Sequence, residues 1–187
     1  MKLNYMSILT AATLMVTGTN ADAGLAFDLY TGATAGIGGQ RFTVKDDHET
    51  YSAKSYGAIA GIDIPFLRLE AEYNYLNGEK VDIQTGTLNA YVKMPGLVII
   101  TPYVGAGIGV VWKVDVDNSL AIGKFDESGK AIYQGMLGAT LDIPTLPFKI
   151  DVEGRLMYAP QLIDIIAINE TASGMQYDAR VKLRYIF

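Results

Sequence analysis

Apolar and polar residues alternate along nearly the whole chain after its first 23 residues. Residues 67–75 (LRLEAEYNY) are the clearest internal example, with Leu67 and Leu69 on one parity and Arg68 and Glu70 on the other. Eight segments of about ten residues show this pattern: 27–37, 55–63, 67–75, 84–94, 101–112, 132–142, 148–158 and 176–187. A period of two residues predicts β-strands, each with one apolar and one polar face.

Short and long connections separate these segments in turn. The three short connections contain Pro65, Pro95 and Pro144, and proline ends a strand because it has no amide donor and a fixed φ. The four longer connections are mostly polar and are expected at 39–54, 76–83, 113–131 and 159–174. Tight turns on one side and longer loops on the other are typical of a membrane barrel. The pattern therefore predicts an all-β fold, an eight-stranded antiparallel up-and-down transmembrane β-barrel.

The charged residues of the strands share the polar parity, and their signs balance. The cations are Arg68, Lys93, Lys149, Arg155, Arg180, Lys182 and Arg184, and the acids are Asp28, Asp63, Glu70, Glu72, Asp142, Asp151 and Glu153. A soluble barrel would turn such charges to water, whereas balanced charges suit a closed interior in which each ion needs a partner.

We therefore predict an ion-pair network inside the barrel. Its candidate members are Asp28, Arg68, Glu70, Glu72, Lys149, Asp151, Glu153, Arg155, Arg180, Lys182 and Arg184. The three cations of the last strand are expected to pair with these acids, and Asp28, Asp151 and Glu153 on the adjoining strands are the nearest candidates.

Aromatic residues on the apolar parity cluster at both ends of the strands. The ring at the long-loop end is expected to contain Tyr56, Tyr75, Trp112, Tyr133, Tyr158 and Tyr177. The ring at the short-turn end is expected to contain Phe27, Phe66, Phe148, Tyr185 and Phe187. Two aromatic girdles around an apolar band mark the two interfaces of a membrane, so the apolar face is predicted to meet lipid.

Composition narrows the class of protein further. Hydrophobic residues make up 50% of the 187 residues, and the 20 glycines and 12 tyrosines favour strands. The chain has no cysteine and a net charge of -5, which disfavours disulfide chemistry and nucleic-acid binding. No apolar run reaches the roughly 18 residues that a membrane helix requires.

The first 23 residues have the features of a secretory signal peptide. Lys2 precedes an apolar stretch at about 5–16, and Ala21-Asp22-Ala23 forms an A-x-A cleavage pattern before Gly24. Residues 1–23 are therefore predicted to direct export, and residues 24–187 to form the barrel in the bacterial outer membrane.

Three features resemble the small bacterial outer-membrane β-barrel proteins, the OmpA/OmpX-like and opacity-type family. They are the signal segment, YVGAGIG at 103–109 and the closing RVKLRYIF at 180–187. The resemblance implies that Phe187, with Tyr185 at the alternate position, is the signal read by the outer-membrane assembly machinery. It also implies contact with outer-membrane lipids, including lipopolysaccharide, and with host or cell-surface ligands through the loops.

Catalytic and metal-binding patterns are weak. The single histidine, His48, lies in a charged loop-like stretch, and the pair Glu70 and Glu72 is interpreted as ion-pair partners. A calcium-like segment begins at Asp115, but Leu120 replaces its glycine and Asp126 its final glutamate. We therefore expect no enzyme activity, no cofactor and no metal site.

The expected function is structural and interactive, in envelope integrity and surface adhesion. Eight strands leave an interior that side chains fill, so the lumen is expected to be plugged. A small porin-like diffusion channel is the first alternative, and a lipid A-modifying enzyme is the second. Residues 159–168 are unusually apolar, which fits strands that extend beyond the membrane, an amphipathic turn over the barrel mouth, or a partner-binding patch.

Overall fold

The computed structural model describes residues 27–44, 47–78, 81–96, 99–116, 129–165 and 170–187. The strands are β1 (Asp28–Val44), β2 (Asp47–Asp63), β3 (Leu67–Gly78), β4 (Val81–Lys93), β5 (Ile100–Val116), β6 (Ala131–Asp142), β7 (Phe148–Ile165) and β8 (Glu170–Ile186). Each strand pairs antiparallel with its neighbours, and β8 pairs with β1, which closes the barrel. The predicted fold class is confirmed. Among the described residues, no helix is long and apolar enough to cross a membrane.

Alternate residues of each strand face the lumen and the outside, as the alternation predicts. In β3 the inward residues Arg68, Glu70 and Glu72 are buried, whereas Leu69 on the opposite face is exposed. The large outward residues of the other strands are mostly Leu, Ile and Val. The barrel is thus polar inside and apolar outside, the reverse of a protein that folds in water.

The strands extend further toward the long-loop end than the alternation predicts. The connection expected at 39–54 is mostly strand, because β1 continues to Val44 and β2 begins at Asp47. The connections expected at 76–83 and 159–174 are also largely strand, since β3 reaches Gly78 and β7 reaches Ile165. Paired strands satisfy their backbone donors and acceptors whatever their side chains, so a polar composition does not end them.

The short connections lie at the prolines. Ile64 donates its backbone amide to the carbonyl oxygen of Leu67 at 2.8 Å, which closes the connection between β2 and β3. Leu146 donates to the carbonyl of Ile143 at 3.2 Å between β6 and β7. Thr145 in that turn has a φ of 77°, a left-handed conformation that glycine or asparagine adopts more easily. These turns fix the strand register, and therefore which inward side chains of successive strands lie at the same level along the barrel axis.

Candidate functional site

The lumen nearest the short turns contains a cluster around Asp151. Arg184 donates to both carboxylate oxygens of Asp151, from Nε and Nη2, each at 2.9 Å. Arg68 donates to Asp151 Oδ2 at 2.9 Å, and Thr140 donates to Oδ1 at 2.6 Å. Arg184 also reaches Asp63 Oδ2 at 3.1 Å, while Lys93 forms an ion pair with the same carboxylate. Two guanidiniums from different strands are thus held by one buried carboxylate.

The middle of the lumen is centred on Lys182. Its Nζ lies 2.9 Å from Glu70 Oε1 and 3.1 Å from Glu153 Oε2. The hydroxyls of Tyr30 and Tyr91 donate to the two oxygens of Glu70, at 2.8 and 2.9 Å. These contacts fix the ammonium between two carboxylates and leave both oxygens of Glu70 hydrogen-bonded, and such additional hydrogen bonds help a buried ion pair to be tolerated.

Above Lys182, toward the long loops, two arginines share two acids. Arg155 donates from Nε and Nη2 to Asp178, at 3.1 and 2.7 Å. Arg180 donates from Nη1 to Glu72 Oε1 at 2.6 Å, and Arg155 Nη1 lies 3.4 Å from that oxygen. Ser55 completes the group by donating to Asp178 at 3.1 Å. The network therefore links β2, β3, β7 and β8 across the lumen.

Tyrosine rings fill the space between the ionic groups. The Arg68 guanidinium lies 4.0 Å from the Tyr91 ring centroid and 4.5 Å from that of Tyr103, as in cation–π contacts. A Cβ at Gly105 or Gly138 would collide with these rings. Glycine at these two inward positions is therefore required by the bulk of the tyrosines opposite them.

A layer of apolar side chains covers the ionic network on its long-loop side. Its members are Ala53, Leu76, Ile83, Val111, Ile132, Met157 and Ala159. All of them except Ala53 line a cavity of about 30 Å³, roughly the volume of one water molecule, together with the polar side chains of Gln40, Thr85 and Gln176. The sequence did not predict this layer, because Ala53, Leu76, Ile83 and Ala159 fell in expected loops, and Val111, Ile132 and Met157 are apolar residues on the polar parity of their strands. We call these seven residues the apolar layer.

The structure places most of the predicted lumen residues in one connected network, with one correction. Asp28 is exposed at the rim, and Asp63, which lies opposite it on β2, is buried and binds Arg184 instead. Lys149 also lies at the rim, 3.2 Å from Asp142. Asp28 is the first residue of its strand, so its side chain stands below the level of the buried cations.

Two acids that the candidate set omitted belong to the network, namely Asp63 and Asp178. Both stand on the inward parity of their strands, and Asp178 alternates with Arg180 in the closing sequence. Their position on the inward parity could have identified them from the sequence as members of the network. The closing cations also reach β3, which is not adjacent to β8, because a narrow lumen brings opposite strands within side-chain reach.

The aromatic residues predicted for the girdle at the long-loop end face outward. Trp112, Tyr158 and Tyr177 are exposed on the long-loop half of the barrel, and Tyr75 is half-buried and donates to Asp82 at 2.8 Å. A Cβ at Gly86 would collide with the Trp112 ring, so this glycine gives the indole its place on the barrel wall.

The last residue closes the barrel at its short-turn end. Phe187 donates its backbone amide to the carbonyl of Leu29 on β1 at 2.9 Å. Its ring packs edge-on against Tyr185 at 5.2 Å between centroids, and Tyr185 packs against Phe148 at 5.3 Å. The terminal aromatic is thus the end of a row of three rings on β7 and β8.

Several predicted features lie outside the described residues. They are the signal segment 1–23, the side chain of His48, most of the calcium-like segment that begins at Asp115, and the apolar side chains at 161–168. The backbone of β7 nevertheless continues to Ile165 and pairs with β8 there, so the first part of the apolar segment 159–168 is strand.

Comparison with known proteins shows the same architecture. No protein-family model and no curated protein sequence matches the chain. Neisserial surface protein A is similar, with a TM-score of 0.57 and 15% identity over 82% of this chain and 95% of that one. The N-terminal β-barrel domain of Pseudomonas aeruginosa OprF has a TM-score of 0.52 and 14% identity over 84% and 97%. At such identities the likeness is one of fold, and this chain has the fold of the small eight-stranded outer-membrane barrels.

Proposed function

We propose that this protein is an outer-membrane barrel with a structural role in the envelope and a surface-contact role at its long-loop end, without catalysis. The single observation that supports this most strongly is the inverted barrel, apolar outside and filled inside by an ion-pair network. A filled lumen gives a stiff scaffold that displays its loops, and displayed loops are where such scaffolds contact their surroundings.

The outward face supports a location in the membrane. Leu, Ile and Val side chains such as Leu88, Leu137 and Val152 are more than half exposed and lie between the two groups of aromatic residues. In water this band would be an unusually large exposed apolar patch, whereas in lipid it is the surface that anchors the protein. Export through the predicted signal segment 1–23 and insertion by the assembly machinery complete the proposal.

Heat-modifiable gel migration of cell fractions tests this location. We expect the protein in the outer-membrane fraction, and we expect unheated samples to migrate differently from boiled ones because the closed barrel resists detergent. A matched sample heated in denaturant is the control. A soluble protein whose migration is unaffected by heating would contradict the proposal.

The filled lumen argues against the diffusion-channel alternative. The ionic network spans the lumen, and above it the apolar layer, together with Gln40, Thr85 and Gln176, leaves a cavity of only about 30 Å³. Because this space holds about one water molecule, an ion would have to lose most of its hydration shell to cross it.

We expect purified protein in planar bilayers to give no stable conductance. Single-channel recording measures this directly, and recovery of heat-modifiable protein from the same bilayers is the control that folded barrels are present. Large, steady unitary currents would contradict the closed lumen.

The arrangement of the carboxylates supports the absence of catalysis. Glu70 and Glu72 each accept hydrogen bonds from a cation and from neutral side chains, so neither faces open space where a substrate could bind. Contact with lipopolysaccharide and with host or cell-surface ligands is then assigned to the exterior and to the long-loop end.

A further inference from the structure

A shallow trough of about 1140 Å³ crosses the outer wall of the barrel from β2 over β1, β8 and β7 to β6. Its floor consists of Gly135, Gly154 and Ala179, and larger side chains border it, among them Leu137 and Leu156. A Cβ at Gly135 would meet no atom within 4 Å, and one at Gly154 would first meet an atom at 3.9 Å. The two glycines are therefore not required by packing inside the protein, and they leave space outside it.

The strand register gives the span of the lining residues across the wall, in which Ile37 and Leu137 protrude while Ala179 and Gly154 are small. Lys54 lies opposite Ile37, Ile37 opposite Ala179, Ala179 opposite Gly154, and Gly154 opposite Leu137. Four steps between neighbouring strands at about 4.8 Å each make the row about 19 Å long.

The five residues of this row, from Lys54 to Leu137, also lie at different depths in the membrane. Lys54 is nine positions from Asp63 at the short-turn end of β2, whereas Leu137 is five positions from Asp142 at that end of β6. The trough thus descends from the long-loop half toward the middle of the apolar band, a depth comparable with one leaflet of a core about 30 Å thick.

The upper end of the trough has a free cation. Lys54 lines the trough and is exposed, and none of the described acidic side chains lies within ion-pair distance of it. Tyr177, from the aromatic group at the long-loop interface, lines the same end. An ammonium at the depth of the lipid headgroups attracts phosphate, while the apolar row below it fits a hydrocarbon chain.

We infer that the trough binds one phosphorylated glycolipid of the outer leaflet, with its phosphate at Lys54 and one acyl chain along Ala179, Gly154 and Gly135. The inference rests on the proposed outer-membrane location and adds a defined site to it. Two other hollows on the outer wall, whose linings include Ala58 and Ala90, contain no lysine or arginine, whereas this trough combines a floor of small residues with the exposed ammonium of Lys54.

Native mass spectrometry of the delipidated barrel, titrated separately with purified lipid A, phosphatidylglycerol and phosphatidylethanolamine, tests this site. We expect one lipid A to be retained in preference to the other two lipids. Lys54→Gln should weaken retention about fivefold, the effect of one cation near an anionic surface. Gly154→Leu, which fills the floor, should weaken it at least as much.

Two substitutions provide matched controls. Ala33→Leu also places a leucine at an outward position, off the trough, and Lys113→Gln removes an exposed cation on β5 that does not line it. Both should retain lipid A like the unaltered protein.

Failure of the lipid site can be told from failure of the proposed location, because heat-modifiable migration is measured on the same samples. Unchanged retention by Gly154→Leu, or equal retention of phosphatidylethanolamine, in a barrel that still shifts on heating would overturn the site alone.

Discussion

Replacing Asp151 with asparagine should lower the free energy of unfolding by about 3–5 kcal/mol, the usual cost of removing one partner of a buried ion pair. Asp151 accepts hydrogen bonds from Arg184 on two oxygens and from Arg68 on one, and all three side chains are almost completely buried. Asparagine keeps the shape but removes the charge. Two guanidiniums would then lie in the lumen with less compensation.

Denaturant titration of the barrel in lipid vesicles, read by heat-modifiable migration, measures this change. Asp28→Asn is the matched control, since the same charge is removed from an exposed position at the rim. It should alter the free energy of unfolding by no more than about 0.5 kcal/mol. Equal losses from the two substitutions would contradict the assignment of Asp151 to the centre of the lower network.

Replacing Phe187 with alanine should reduce the assembled barrel in the outer membrane several-fold, while synthesis and export continue. The substitution keeps the backbone hydrogen bond to Leu29 and removes only the ring that packs on Tyr185. Because the ring faces outward, its loss should leave folding of the purified chain in detergent largely intact. Quantitative comparison of folded protein in outer-membrane fractions with total exported protein gives the result.

Phe148→Ala is the control for the Phe187 experiment. Phe148 packs on the other side of Tyr185, so this variant loses a similar aromatic contact without changing the end of the chain. Phe187→Tyr should retain assembly because it keeps a terminal aromatic. If Phe148→Ala impaired assembly as strongly as Phe187→Ala, the role of Phe187 as an assembly signal would be contradicted.

The sequence by itself determined the fold class and the face of each strand. An extended strand alternates its side chains strictly, so the parity of Arg180, Lys182 and Arg184 was enough to place them together on the lumen side. The same rule placed Leu69 and Leu183 outside. These conclusions depend only on local geometry, and they hold whatever the neighbouring strand contains.

Only the tertiary structure decided the position of each inward side chain along the barrel axis, and therefore its partners. Parity assigns Asp28 and Asp63 to the same face, but the register of β1 with β2 and β8 leaves one at the rim and brings the other to Arg184. The apolar layer and the external trough likewise combine single residues from several strands. No one segment of sequence contains either feature, because closure of the barrel is what sets these residues side by side.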